Sequence, residues 1–146
     1  MSHAAVFDVA HYILKECGPM SAMKLQKLVY YAQAWALVWD DEPLFDEDIE
    51  AWSNGPVVRE LYNEHRGLCR VDPGTFAGTA EHALTENQKD TINTVIRAYG
   101  DKSPQWLSDQ THMEQPWIAA RSGLPDNIRG NQVITLESLA EYYGSL

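Results

Sequence analysis

The stretch from Lys24 to Trp39 constrains the fold more than any other part of this chain. Its apolar residues recur at the i, i+3, i+4, i+7 spacing of one helix face. These residues are Leu25, Leu28, Val29, Ala32, Trp35, Ala36 and Trp39. The other faces are apolar too and carry Tyr30, Tyr31, Ala34, Leu37 and Val38. A helix that is apolar nearly all round is buried on several sides, so we expect the central helix of a domain, with Trp35 and Trp39 in the core.

Shorter elements are predicted before and just after this helix. A first helix is expected over about residues 4–16, and Ser21 is expected to cap the central helix. We expect a short strand near residues 49–52. The Asn54-Gly55-Pro56 turn then predicts that Pro56 opens a short helix, which Gly67 closes.

The second half of the chain predicts further helices. Residues 68–83 have the composition of a loop, and Thr85 with Gln88 forms a capping box for the next helix. The remaining expectations are a helix over about residues 103–112, a turn over 116–121, a small strand at 133–134 and a last helix capped by Thr135. We therefore expect a mainly α, compact single domain spanning residues 1–146, with six or seven helices and a minor two-stranded β element.

Charge limits the kinds of partner that this chain can bind. Its 146 residues have a formal net charge of −10, which argues against nucleic acid because phosphate contacts need clustered Lys and Arg. Seven acidic residues fall within residues 40–50, the strongest local negative field. This segment is either a solvated face or a field that steers a basic partner, and both interpretations stay open.

Location is predicted from what the sequence lacks. Two cysteines are too few for a disulfide framework, and the N-terminus has no basic region followed by an apolar run. No apolar stretch reaches the 18 residues that a membrane-spanning helix needs. We expect a reduced, cytoplasmic protein that binds no membrane.

No sequence pattern here is typical of catalysis or of a metal site. The nucleophile elbow, the phosphate-binding glycine loop and the zinc-protease motif are all missing. Cys17 and Cys69 are interpreted as small buried residues, and His65 with Cys69 is not expected to bind a metal because a glycine between them should break the helix. His112 and Glu114 are either an acid–base pair or residues at a helix end. We expect no cofactor, no metal and no enzymatic activity.

An ordered set of short pieces, spread over nearly the whole chain, resembles one protein family. These pieces are Lys24-Leu25-Gln26-Lys27-Leu28, Tyr30-Tyr31-Ala32-Gln33, Pro43-Leu44-Phe45, Ala51-Trp52, Gly55-Pro56-Val57, Leu107, Thr111-His112, Glu114, Pro116-Trp117 and Tyr142-Tyr143. Together they resemble the Panacea domain, also called SocA-like or GepA-like, which is found in antitoxins of bacteria and phages. No single piece is specific, but their order is.

The resemblance implies an antitoxin that neutralises a cognate toxin, encoded nearby, by direct protein–protein binding. The alternative from the same family is a proteolytic adaptor that delivers its toxin to a ClpXP-type protease. An uncharacterised enzyme is the third hypothesis. The resemblance also implies that many relatives carry an added DNA-binding domain; because these 146 residues leave no room for one and include no basic helix, we do not expect operator binding here.

The central helix has more apolar surface than one packing partner needs, which leaves room for a toxin-binding face. We place this face on Lys27, Tyr31, Trp52 and Arg59, since aromatic residues and Arg dominate protein interfaces. Full burial of these aromatics is the alternative. Lys24 and Lys27 are expected either to pair with carboxylates of residues 46–50 or to reach solvent with their tips.

Overall fold

The computed structural model describes residues 5–76 and 84–146, in which the chain forms seven helices and five short strands. The helices are α1 (Val6–Cys17), α2 (Ala22–Trp39), α3 (Arg59–His65), α4 (Glu86–Tyr99), α5 (Pro104–His112), α6 (Gln115–Arg121) and α7 (Leu136–Gly144). The strands are β1 (Met20–Ser21), β2 (Ile49–Trp52), β3 (Gly55–Val58), β4 (Arg70–Val71) and β5 (Val133–Ile134). The predicted class, a compact and mainly α fold with a minor β element, is confirmed.

Helix α2 is the centre of the fold, as its apolar pattern predicts. It begins after Ser21, whose hydroxyl accepts a hydrogen bond from the Lys24 N–H at 3.1 Å. It packs against α1, α4, α5, α7 and β3. Every residue from 25 to 34 is buried, so this part of the helix, nearly three turns long, has no side that faces solvent.

Two buried glutamines of α2 fix the chain that follows the helix. The Gln33 Oε1 accepts hydrogen bonds from the N–H groups of Leu44 and Phe45, and its Nε2 donates to the Phe45 carbonyl at 2.9 Å. The Gln26 side chain makes the same kind of pair with Val58, at 2.9 Å to its N–H and 3.2 Å to its carbonyl. Each amide thus satisfies the backbone as a neighbouring strand would, which is what buried polar groups require.

The strands form two small antiparallel sheets. β2 lies between β3 and β5, and β1 pairs with β4. The strands predicted near residues 49–52 and at 133–134 are confirmed, and the β structure extends beyond the expected two-stranded element.

The prediction that Pro56 opens a helix is wrong. Pro56 lies within β3, opposite Ala51 of β2, and helix α3 begins only at Arg59. Proline is tolerated there because β3 is an edge strand of its sheet. Gly55 has φ +120°, which an L side chain rarely adopts, and so allows the tight β2–β3 turn.

Three further expectations change. Residues Gln115–Arg121 form helix α6, where a turn was predicted.

Trp35 is half-buried and its indole N–H donates to the Tyr99 hydroxyl at 3.1 Å, but Trp39 is 48% exposed and was wrongly assigned to the core. Trp39 lies in the last turn of α2, where it stacks on Trp35 instead. The predicted loop over residues 68–83 contains β4, and its residues 77–83 lie outside the described ranges.

We predict that Gln33→Leu lowers the free energy of unfolding by roughly 2–3 kcal/mol, because it leaves buried backbone groups of Leu44 and Phe45 without partners. Urea denaturation measures this change. The matched control is Gln105→Leu, whose amide bonds Asp109 on an exposed face, and which should change stability by less than about 0.5 kcal/mol. Equal stability of the two variants would contradict the structural role of Gln33.

Candidate functional site

A groove of about 370 Å³ opens beside the first turns of α2. The start of α2, the β2–β3 hairpin, α3 and residues 67–69 form its walls. Most of its surface is apolar, and Met23 and Leu68 are 37% and 49% exposed. Concave, mostly apolar surfaces with a few polar groups are the usual sites of ligand and partner binding.

The Lys27 side chain lines this groove and is itself buried. Lys27 is 1% exposed, and its Nζ donates a hydrogen bond to the Pro56 carbonyl at 3.2 Å. A Cβ atom at Gly55 would come within 2.6 Å of the Lys27 Cε, so glycine at this position leaves the space that the lysine occupies. Burial lowers the pKa of Lys27 to about 7.

Two outcomes were expected for the α2 lysines: pairing with carboxylates of residues 46–50 is wrong for both, and a tip in solvent is wrong for Lys27, which is 1% exposed. Lys27 donates to a backbone carbonyl, and burial alone accounts for its lowered pKa. Lys24 donates to the Gly100 carbonyl at 2.7 Å, at the end of α4. Both lysines leave α2 towards elements other than the acidic segment.

His65 completes the polar part of the groove. Its Nε2 lies 3.0 Å from the Gln26 Nε2. Since the amide nitrogen can only donate, the Nε2 of His65 must accept, which leaves the ring proton on Nδ1. Burial is the main cause that lowers the pKa of His65, and Lys27 lowers it further, so the groove favours a neutral imidazole.

Stacked arginine and aromatic side chains form one rim of the groove. The Arg129 guanidinium lies 3.6 Å from the centre of the Trp52 ring, and the Tyr62 ring packs edge-on against Trp52 at 4.8 Å. Glu50 accepts hydrogen bonds from Arg59 at 2.8 and 3.0 Å and from the Trp52 indole at 2.8 Å. Burial by itself raises the pKa of Glu50, but these bonds outweigh it and hold the pKa below its usual value.

The structure brings together three of the four residues expected to bind the toxin. Lys27 lines the groove, Trp52 forms part of its wall, and the Arg59 side chain is 42% exposed beside Trp52. Tyr31 is fully buried elsewhere in the core, where it stacks on Tyr99. Of the four, Arg59 has the most accessible side chain, while Trp52 is 8% exposed.

Tyr31 belongs to a buried cluster around Glu114. One carboxyl oxygen of Glu114 accepts hydrogen bonds from Tyr31 at 2.8 Å and from Tyr143 at 2.6 Å, and the Tyr30 and Tyr143 hydroxyls lie 2.9 Å apart. Burial first, and Glu114 in addition, raises the pKa of Tyr31, which keeps its hydroxyl protonated as a donor. This cluster joins α2 to α6 and α7.

The acid–base pair suggested for His112 and Glu114 is not formed. The two ring nitrogens of His112 lie 2.6 and 2.8 Å from the carbonyl oxygens of Ser108 and Ser53. Glu114 instead belongs to the tyrosine cluster. His112 therefore holds the β2–β3 turn, through Ser53, against α5.

Sequence reasoning missed Arg129 and the residue that positions it. Arg121 is 3% exposed, and its guanidinium donates to the Ala51 carbonyl in β2 and to carbonyls of the loop 125–129. This bonding fixes the loop from which Arg129 reaches Trp52. No sequence spacing relates Arg129 to Trp52. The one available signal was the position of Arg129 in a segment with Gly123, Pro125 and Gly130, which is typical of a constrained loop.

Acidic residues 46–48 lie away from the groove, whereas Glu50 of the same segment is bonded at its rim. Residues 46–48 immediately precede β2 and line a separate cavity with residues 133–136. Trp52 is at the opposite end of β2, about 10 Å further along the strand. The negative field and the groove therefore occupy different ends of this strand.

The two cysteines lie at the surface of the protein. Cys17 and Cys69 are both exposed, so their interpretation as buried residues is wrong. Within residues 5–76 and 84–146, no group of three or more His, Cys, Asp or Glu side chains is arranged to hold a metal ion. In the same ranges no helix is long and apolar enough to cross a membrane.

Comparison with known proteins gives one match. The model of a family described as antitoxin SocA-like, Panacea domain, matches residues 25–118, which is more than half of the chain. The matched range begins in α2 and ends in α6, and it includes Lys27, Tyr31, Trp52 and Arg59. No curated protein and no solved structure matches the chain.

We predict that the stability of Lys27→Met relative to the parent depends on pH. The folded chain releases the Lys27 proton near pH 7, whereas the unfolded chain holds it up to the ordinary value of 10.5. Because the unfolded state then binds more protons, the parent gains stability over the variant between pH 7 and 9, by up to about 1.4 kcal/mol per pH unit. Urea denaturation at pH 7, 8 and 9 measures this difference. Lys24→Met controls for removal of a positive charge from α2, and a parent–Lys27→Met difference that is constant with pH would contradict the buried amine.

Proposed function

Because this chain belongs to the SocA-like antitoxin family, defined by the Panacea domain, we propose that it neutralises a cognate toxin by direct protein–protein binding. The observation that carries this proposal is the apolar groove over Lys27, with its rim of arginine and aromatic side chains. Such a surface is suited to holding a segment of another protein, since Trp, Tyr and Arg supply most of the binding energy in interfaces. Toxin binding here requires no catalytic group.

The proposed contact face centres on the groove. Arg59 and the exposed Leu68 supply accessible contacts, Trp52 supplies a rigid wall, and Lys27 supplies a polar group in its lining. The Arg59–Glu50–Trp52 hydrogen bonds hold the rim in position before binding, which lowers the entropy lost when a partner docks. Tyr31 contributes from inside by fixing α2 through Glu114.

A proteolytic adaptor uses the same first step, toxin binding, and then needs a second surface for the protease. The two functions differ in the fate of the toxin: sequestration preserves it in a complex, whereas an adaptor causes its destruction. The enzyme hypothesis rested on a pair of His112 with Glu114, and these two residues bond different partners.

We predict that this chain and the product of the gene next to its own co-purify after co-expression, and that the pair restores growth which the neighbouring gene alone prevents. Host cells with and without ClpXP separate the mechanisms. Rescue in both hosts, with intact toxin in the complex, is the result expected for sequestration. Rescue only with the protease, accompanied by loss of the toxin, would establish the adaptor in its place, and rescue without any physical association would exclude both.

We predict that Arg59→Ala raises the rate of dissociation from this toxin by about tenfold, since loss of an interface anchor costs more than about 1 kcal/mol. Replacing Asp46, Glu47 and Asp48 by their amides should instead leave the rate of dissociation near that of the parent and change the rate of association and its salt dependence, because these charges lie away from the groove and act only on the encounter. Surface plasmon resonance at two salt concentrations measures both rates.

The matched control for the contact face is Trp39→Ala. Trp39 is an exposed aromatic on the same helix, about 18 Å from Lys27 along the helix axis. We expect parent-like kinetics for this variant. If Trp39→Ala weakens binding while Arg59→Ala does not, the toxin binds at the other end of α2 and the proposed face is wrong.

A further inference from the structure

We infer that the groove recognises an acidic side chain carried on an apolar segment of the partner, with the Lys27 amine as its counter-ion. This inference rests on the proposed function, protein binding at the groove, and names the chemistry of the segment that binds. Its occupant is a Glu or Asp of a protein segment whose neighbours are apolar.

The hydrogen bonding of Lys27 leaves donors that a carboxylate of the partner can use. An ammonium group has three donors, and among the described residues its bond goes to the Pro56 carbonyl, a neutral acceptor. Lys27 is 1% exposed, so water cannot solvate its charge freely. A carboxylate that entered the groove would supply both an opposite charge and two acceptor oxygens, which is how buried charges are normally compensated.

The neighbours of Lys27 leave this role to the partner. The polar groups beside it are Gln26 and His65, which bond each other, and Gln26 also bonds the backbone of Val58. The β2–β3 hairpin contributes Ser53 and Asn54, and α5 contributes Thr111, whose hydroxyl donates to the Ser108 carbonyl. None of these side chains carries a negative charge.

The other titratable and charged groups near the groove lie at its edge. Cys69 and Tyr62 are on its walls, His112 lies behind Ser53, and Glu50 with Arg59 lies beyond Trp52. Glu50 already receives two hydrogen bonds from Arg59 and one from Trp52, so it is occupied at the rim.

The arginines around the groove also favour an acidic segment in the partner. The chain has 11 Lys and Arg against 21 Asp and Glu, yet four arginines flank the groove. Arg59 and Arg129 stack on Trp52, and Arg66 and Arg70 adjoin the lining residues 67–69 and are exposed. The acidic residues 46–48 lie at the opposite end of β2. Helix α3 also carries the exposed Glu60 and Glu64, so it is the concentration of arginines, and not a purely positive surface, that favours a negative partner by electrostatic complementarity.

The apolar walls define what surrounds the acid. Val57 and Ala22 line the groove, and Met23 and Leu68 stand partly exposed along it. Polar flanking residues would lose their hydration against these walls without gaining partners, whereas Leu, Val or Phe would bury apolar surface. The motif that fits is therefore one acidic residue between apolar residues.

The first experiment needs no toxin. A random nonapeptide library displayed on phage is selected against the parent, Lys27→Met and Lys24→Met. We expect peptides with Asp or Glu between apolar residues to be enriched on the parent and on Lys24→Met but not on Lys27→Met. Enrichment without an acidic residue, equal enrichment on Lys27→Met, or no enrichment at all would overturn the inference.

The second experiment tests the ion pair itself by isothermal titration calorimetry. A selected peptide is compared with its counterpart in which an amide replaces the acid. The acidic peptide should bind at least about tenfold more tightly at pH 6.5, and its affinity should fall at least about tenfold by pH 8.5, because the Lys27 amine loses its proton near pH 7. Affinity that is the same for both peptides, or independent of pH, contradicts a carboxylate on Lys27.

A further variant guards against effects of Lys27→Met on folding. Leu68 is 49% exposed, so Leu68→Asp should fold as the parent does, and circular dichroism checks this. The new carboxylate should repel the acidic peptide and lower its affinity at least about tenfold. Unchanged affinity would place the peptide outside the groove. The small acid 4-phenylbutanoate is titrated in parallel, and tighter binding of this acid than of the peptides would overturn the choice of a protein segment.

The two proposals fail separately. Loss of toxin co-purification with intact peptide selection would refute the antitoxin function and leave the groove chemistry standing. Toxin binding that survives Lys27→Met and Leu68→Asp would refute the acidic anchor and leave the antitoxin function standing.

Discussion

The complete burial of helix α2 is the constraint on which the rest of this structure depends. A buried polar side chain must find a hydrogen-bond partner, and α2 carries several in its core-facing turns. Gln33 holds the chain at residues 44–45, Gln26 holds β3, and Lys27 contacts the β2–β3 turn. Tyr31 reaches Glu114 before α6, and the Tyr30 hydroxyl meets that of Tyr143 in α7. Each of these contacts fixes one surrounding element in place.

Lys27 differs from the other members of this set, and the proposed binding site rests on this difference. The glutamine amides are matched by backbone groups, and the tyrosine hydroxyls by Glu114 and by one another. The Lys27 amine has a neutral carbonyl and an adjoining groove. In the proposed binding site, the donors of Lys27 beyond its bond to Pro56 are the ones that a partner would use.

Local signals in the sequence predicted local structure well. Ser21, Thr85, Ser103 and Thr135 each accept the hydrogen bond of a helix N-cap, because capping depends only on residues three apart in the chain. The same kind of reasoning failed at Pro56. Proline suits both the first turn of a helix and an edge strand, and the choice was made by pairing with β2, which no local signal reports.

The sequence by itself determined that α2 is the central helix, that the fold is mainly α and that the chain resembles the Panacea family. Helical periodicity and caps are properties of neighbouring residues, and they survive in any tertiary context. The tertiary structure alone decided that Lys27 lines a groove and that Arg129 covers Trp52. It also decided that Tyr31 is buried in the core, away from the groove, and that Trp39 is exposed. Those outcomes depend on which elements pack on each face of α2, and a helix that is apolar on every face does not specify its neighbours.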